Sequence, residues 1–173
     1  MLDRLDGPFP EETTHVPMIN RPHHMGIQVA DLERSVSFYR DILGFEVVFQ
    51  WNPQAEYIRT ITGYPEADIH AAVLRLPGES GVFLEILEYR NVDKTPVDTR
   101  TANPGTAHLA FFTDDCDGLY AELVAKGVKS VSPPVTPTMG PNTGGRAVYM
   151  IDPDGIRVEF ITTSQTFDGK PNH

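Results

Sequence analysis

Apolar and polar positions alternate from His24 to Val29, with Met25, Ile27 and Val29 on one side and His24, Gly26 and Gln28 on the other. That period of two predicts a half-buried strand. Asp31 then caps a run in which Leu32, Val36, Tyr39 and Leu43 recur at helical spacing until Gly44 stops it. Strands are predicted over 45–50, 69–76 and 82–88. Asn52 and Pro53 open a short helical insertion that carries Tyr57, Ile58 and Ile61 and ends at Gly63. The half therefore reads β, α, β, β, β. Beyond a proline-containing linker, 90–106, the order repeats: strand 108–113, helix 116–126, strands 128–132, 146–151 and 156–162. The Asp152-Pro153-Asp154-Gly155 turn joins the last two.

The two halves keep their polar ends in register, the mark of an internal repeat. Asp31 and Asp115 each follow a strand-opening histidine, His24 and His108, by seven positions, and each half closes on a strand glutamate, Glu85 or Glu159. The loop 132–145 holds four prolines and three glycines ahead of Arg146. A long polar loop inside a compact domain is more often functional than decorative, so a lid or substrate-contacting role is expected. Residues 1–21 show neither period and are expected to form an irregular arm, and 163–173 a frayed tail. The domain is then 22–162, made of modules 22–89 and 107–162.

Composition narrows the function classes. A chain of 173 residues with 40% hydrophobic content suits one globular domain, so the repeat subdivides a domain. Net charge is −10 and the 14 basic residues are scattered, which offers nucleic acid no phosphate-tracking surface. No apolar run approaches the roughly 20 residues of a membrane span, and the first 21 residues have no apolar signal core. Cys116 is the sole cysteine, so an internal disulfide is excluded. A cytoplasmic protein acting on a small molecule is expected.

Two imidazoles and two carboxylates form a ligand set for a first-row divalent ion: Zn, Ni, Co, Mn or Fe. A lone strand histidine is more often a hydrogen-bonded structural residue than a ligand; four such residues at matching repeat positions favour ligation. Strand alternation places Glu159 on one face with Arg157 and Ile161, and Glu85 with Phe83 and Leu87. It assigns His23 to the face opposite His24, where a structural role is expected. His70, mid-strand, is open between cavity-lining acid/base work and packing. His15 and His173 lie in the irregular ends and carry no signal.

Residues 24–45, the Leu84-Glu85-Ile86 strand, Ala107-His108-Leu109-Ala110, and the 152–155 turn followed by Val158-Glu159 together resemble the vicinal oxygen chelate superfamily. That group holds glyoxalase I, bleomycin-resistance proteins and extradiol dioxygenases. The resemblance spans about 22–162. It implies an α+β fold of two βαβββ modules whose curved mixed sheets form a cup, with one divalent ion per chain held by His24, Glu85, His108 and Glu159. A fourth protein ligand, matched by Glu85, is similar to the glyoxalase I and methylmalonyl-CoA epimerase branches. The ring-cleaving dioxygenases resemble a His24, His108, Glu159 triad instead, and the bleomycin-type binding proteins generally lack the set.

Those implications point to proton transfer next to a carbonyl by a lyase, isomerase or epimerase, with Fe(II) ring cleavage and drug sequestration as alternatives. Glu159 is the expected base and Glu85 a ligand or its counterpart. Gln28, His70, Arg146 and Arg157 are candidate substrate contacts. Arg59 is a further candidate anion contact, and Tyr57, Ile61 and Tyr64 of the insertion are expected near the cup mouth. Because both halves are in one chain, each chain is expected to hold a complete site, with a homodimer fastened by the N-terminal arm.

Overall fold

A computed structural model describes residues 21–78 and 81–164; the expected arm, Arg21 apart, and nearly all of the tail lie outside them. The first module is β1 (His24–Gln28), α1 (Leu32–Ser37) with a π-helical continuation over Phe38–Ile42, β2 (Glu46–Trp51), α2 (Glu56–Thr62), β3 (Asp68–Arg75) and β4 (Phe83–Arg90). The second is β5 (His108–Phe112), α3 (Cys116–Ala125), β6 (Lys129–Ser130), β7 (Arg146–Ile151) and β8 (Arg157–Thr162). Two four-stranded mixed sheets result, ordered β1-β4-β3-β2 and β5-β8-β7-β6. In each the first strand runs parallel to the last and the others pair antiparallel. The α+β class and the doubled βαβββ order follow the sequence reading.

Local chemistry accounts for most boundaries. The Asp31 carboxylate accepts the Arg34 N–H at 2.9 Å and Asp115 accepts that of Gly118 at 2.9 Å, so matched aspartates cap both long helices. Gly44 and Gly63 close α1 and α2 with φ of 79° and 76°, a left-handed turn that costs glycine nothing. Three boundaries differ from expectation. The insertion helix begins at Glu56 behind Ala55, three residues after Pro53. Leu43 N–H donates to the Phe38 carbonyl, five residues back, and the widened turn leaves Phe38 and Tyr39 both buried. The strand expected over 128–132 shrinks to Lys129–Ser130; Val131 N–H still donates to the Tyr149 carbonyl, and Pro133 and Pro134 beyond it have no N–H for a ladder.

Each sheet has two unlike faces. Ile27, Leu84, Ile86, Ala72 and Leu74 of the first, with Leu109, Val148, Met150, Val158 and Phe160 of the second, enter one core with Val36, Tyr39 and Leu123 of the helices. Phe45 meets Phe111 edge to face at 5.5 Å across the modules. The 152–155 turn reaches into the first module: Asp154 accepts from Ala30 N–H, Arg34 Nη2 and the Ser35 hydroxyl at 3.0, 2.7 and 3.2 Å. Asp152, buried, accepts from the Tyr39 hydroxyl at 3.1 Å. The modules thus join through their helix faces, and the faces that carry the histidines and glutamates turn away from the shared core.

Candidate metal centre

Register places one His–Glu pair on each outward face. In the parallel β1–β4 ladder Gly26 is opposite Glu85, and His24 lies two residues along the same face. A Cβ built on Gly26 would stand 3.9 Å from Glu85 Oε2, so glycine leaves the face open beside the carboxylate. His24 Nε2 is 3.3 Å from Glu85 Oε2. In the second module Ala110 is opposite Glu159, and His108 Nε2 is 3.1 Å from Glu159 Oε2. The histidines are open, 41% and 44% exposed, while their glutamates are half-buried at 21% and 17%.

These separations fit metal ligation. Two donor atoms about 2.0–2.2 Å from a shared ion, at angles between octahedral and tetrahedral, stand roughly 2.8–3.6 Å apart. Each pair matches two neighbouring corners of such a shell. Within one chain the pairs stay separate: among the described residues no three His, Cys, Asp or Glu side chains converge on a point that could hold an ion. The expectation of a complete site inside each chain is therefore corrected. Joining the modules through their helix faces points the two His–Glu faces in different directions.

The remaining candidates divide by strand parity. Gln28 lies on the His24 face opposite Leu87, and Arg157 lies on the Glu159 face opposite His108. Arg157 Nη1 donates to the Gly155 carbonyl at 2.7 Å, and its buried Nε has no acceptor among the described residues. His70 pairs with Glu88 on the helix side of the first sheet, opposite to Glu85. There it is tied to Asp68 at 3.1 Å and Asn52 at 3.2 Å, so it does not line the His24 face. Arg146 shares the helix face of β7 with Val148 and Met150. It binds Asp117 of α3 through Nε and Nη2 at 2.8 and 2.5 Å, the Thr136 hydroxyl at 2.9 Å and the Pro134 carbonyl at 3.1 Å. It anchors the 132–145 loop and does not face the site.

Several residues on these faces were not anticipated. Tyr149 is opposite Glu159 in the β7–β8 ladder and stacks edge-on against His108 at 5.4 Å. Burial and the Glu159 carboxylate push its phenol pKa up, so it stays a neutral donor beside the carboxylate. Tyr89 on the first face is raised likewise by burial and by Glu85, and Tyr64 packs on it at 5.7 Å. Phe49 and Trp51, opposite Val73 and Ala71, continue that face as an aromatic pair 4.8 Å apart. Only the ladder register, invisible in the sequence, groups these with the glutamates. His23 is another: its Nδ1 stands 2.7 Å from His24 Nδ1.

Two βαβββ modules, each with a His–Glu pair on its open sheet face, define a class of α+β protein. The profile of the Glyoxalase/Bleomycin resistance protein/Dioxygenase superfamily matches residues 21–160, and the chain belongs to that superfamily. It is 32% identical over 154 residues to the lactoylglutathione lyase of Haemophilus influenzae, covering 86% of this chain and 97% of that one. It is also 32% identical over 143 residues to a 2-epi-5-epi-valiolone epimerase of an Actinomyces species, covering 80% and 77%. Among solved structures, a glyoxalase family protein of Bacillus cereus shares the fold with a TM-score of 0.69 at 19% identity, over 90% of this chain and 98% of that one. No helix among the described residues is long and apolar enough to cross a membrane.

Proposed function

We propose that the protein is a divalent-metal-dependent lyase or isomerase that moves a proton next to a carbonyl of a small molecule. The site is assembled between two copies, with His24 and Glu85 of one facing the partner's His108 and Glu159. The observation that carries this reading is the pair of His–Glu contacts at ligand spacing on open faces, each half of a four-ligand shell. A symmetric dimer in which first faces meet second faces would complete two shells, one ion per chain.

His24, Glu85, His108 and Glu159 would hold a divalent ion, which when bound would supply stabilisation of the negative charge on a carbonyl oxygen whose neighbouring C–H loses a proton. The chain's own groups do the rest. Glu159 takes the proton and returns it, with Tyr149 beside it to hold the carboxylate in place. Glu85 is the counterpart on the opposite sheet. Phe49, Trp51 and Tyr89 exclude water from the first face and favour a partly apolar substrate. Arg157 offers a donor to a substrate oxygen beside His108.

Glu85 also favours proton transfer over ring cleavage. A His, His, Glu triad with positions open to dioxygen needs Glu85 to stand clear, whereas its Oε2 faces His24 Nε2. The names of the relatives, a lyase and an epimerase, support the same class. The test is anaerobic solvent-deuterium exchange by metal-loaded protein on two probes, the glutathione hemithioacetal of methylglyoxal and a cyclic hydroxyketone. Exchange that needs the ion supports the proposal; oxygen consumption on catechols that needs Fe(II), without exchange, overturns it.

A further inference from the structure

We infer that His23 is a positioning residue for the metal site, holding the His24 ring by accepting the proton on its Nδ1. The inference rests on the metal reading above and goes beyond the four ligands.

His24 presents Nε2 to Glu85 Oε2 at 3.3 Å, so Nε2 is the nitrogen that faces an ion. An imidazole that binds through Nε2 as a neutral ligand carries its proton on Nδ1, and that proton needs an acceptor to fix the tautomer and the ring plane. His23 Nδ1 lies 2.7 Å away, in line to accept. Only one proton fits between the two nitrogens, so His23 keeps its own on Nε2.

The local fold explains how neighbouring residues meet. Alternation would send them to opposite faces within a strand, but β1 begins at His24 and His23 precedes it. The His23 carbonyl accepts the Phe83 N–H at 3.4 Å, which ties this residue to the start of β4. Its ring is then free to turn back, and the two imidazoles meet edge to face at 5.0 Å. The second half-site has no such device at the matched position, which is Ala107. The two histidine ligands are therefore held by different means.

The test uses the full-length protein and zinc alone, with affinity read by competition against a chromophoric chelator at slightly alkaline pH. His23 is exposed, so its replacement does not threaten the fold. His23→Leu removes the acceptor, whereas His23→Asn keeps an oxygen on Cγ where Nδ1 stood. Second-sphere partners of metal-bound histidines are worth about 10- to 100-fold in affinity. The expected result is a loss of that order in His23→Leu with most of it recovered in His23→Asn. Unchanged affinity in His23→Leu, or equal weakness in both variants, overturns the inference while leaving the four-ligand reading intact. Failure of the unsubstituted protein to take up zinc overturns both.

Discussion

On the proposed reading, the His24–Glu85 and His108–Glu159 contacts are the smallest units of function, and neither replaces the other. His24→Ala and His108→Ala should each lower metal affinity by more than about 100-fold, since removal of a direct ligand exceeds the loss of a second-sphere partner. Metal analysis with circular dichroism checks it, because both histidines are exposed and the fold should survive. Glu159→Gln, which keeps a ligand oxygen but loses the base, should reduce turnover by about 100- to 10,000-fold with a smaller loss of metal. Equal loss of both would make Glu159 a ligand only. The four residues were legible because the repeat set them at matching positions. Parity within one strand was also legible, and it grouped Arg157 with Glu159. Parity across strands was not: His70 sits opposite Glu88 in the β3–β4 register, and nothing local encodes that. The Arg146 contact to Asp117 is likewise tertiary, and the adjacent His23-His24 doublet was the one available sign of the His23 contact.

Among the elements, the 132–145 loop is held by its own set of anchors. Val135 pairs with Ala147 as an isolated bridge beside β7, and Arg146 ties Thr136 and Pro134 to Asp117 of α3. Hydrogen bonds from Arg146 hold the Asp117 carboxylate pKa below its ordinary value. A depressed folded pKa contributes stability above the ordinary carboxylate range and loses it as pH falls through the folded value. Asp117→Asn should therefore speed hydrogen exchange across 133–145 at neutral pH, and the difference from the unsubstituted protein should shrink under acid conditions. Zinc affinity should not change, because Asp117 and Arg146 are on the helix side. The helices and the long strands were readable from period and caps; β6 was not, since it is only Lys129–Ser130 ahead of prolines that have no N–H for a ladder.

At the scale of the whole molecule, the joint between modules sets which way the two His–Glu faces point, and so where the proposed site would lie. Asp152 is buried and its pKa is raised, chiefly by desolvation, so its ionised form lowers stability above the folded pKa and the penalty lifts as pH falls through it. The Tyr39 hydroxyl partly offsets that cost. Tyr39→Phe should destabilise the chain by about 1–3 kcal/mol. In denaturant titrations the loss should shrink as pH falls through the raised folded pKa of Asp152, because the missing donor served the carboxylate. This joint, with Asp154 against Arg34 and Ser35, fixes the helix faces together, and no local pattern announced it: either packing of the modules fits the same strands and helices. On the proposed reading, the two half-sites of one chain are completed by a second copy. Chains bearing His24→Ala and chains bearing Glu159→Ala, each unable to hold the ion alone, can be refolded together and the mixed dimers isolated by differential tags. One interface of such a dimer combines both defects and the other has all four ligands. The expected result is one zinc per mixed dimer with high affinity and partial recovery of activity. Mixed dimers as empty of zinc as either parent would contradict it.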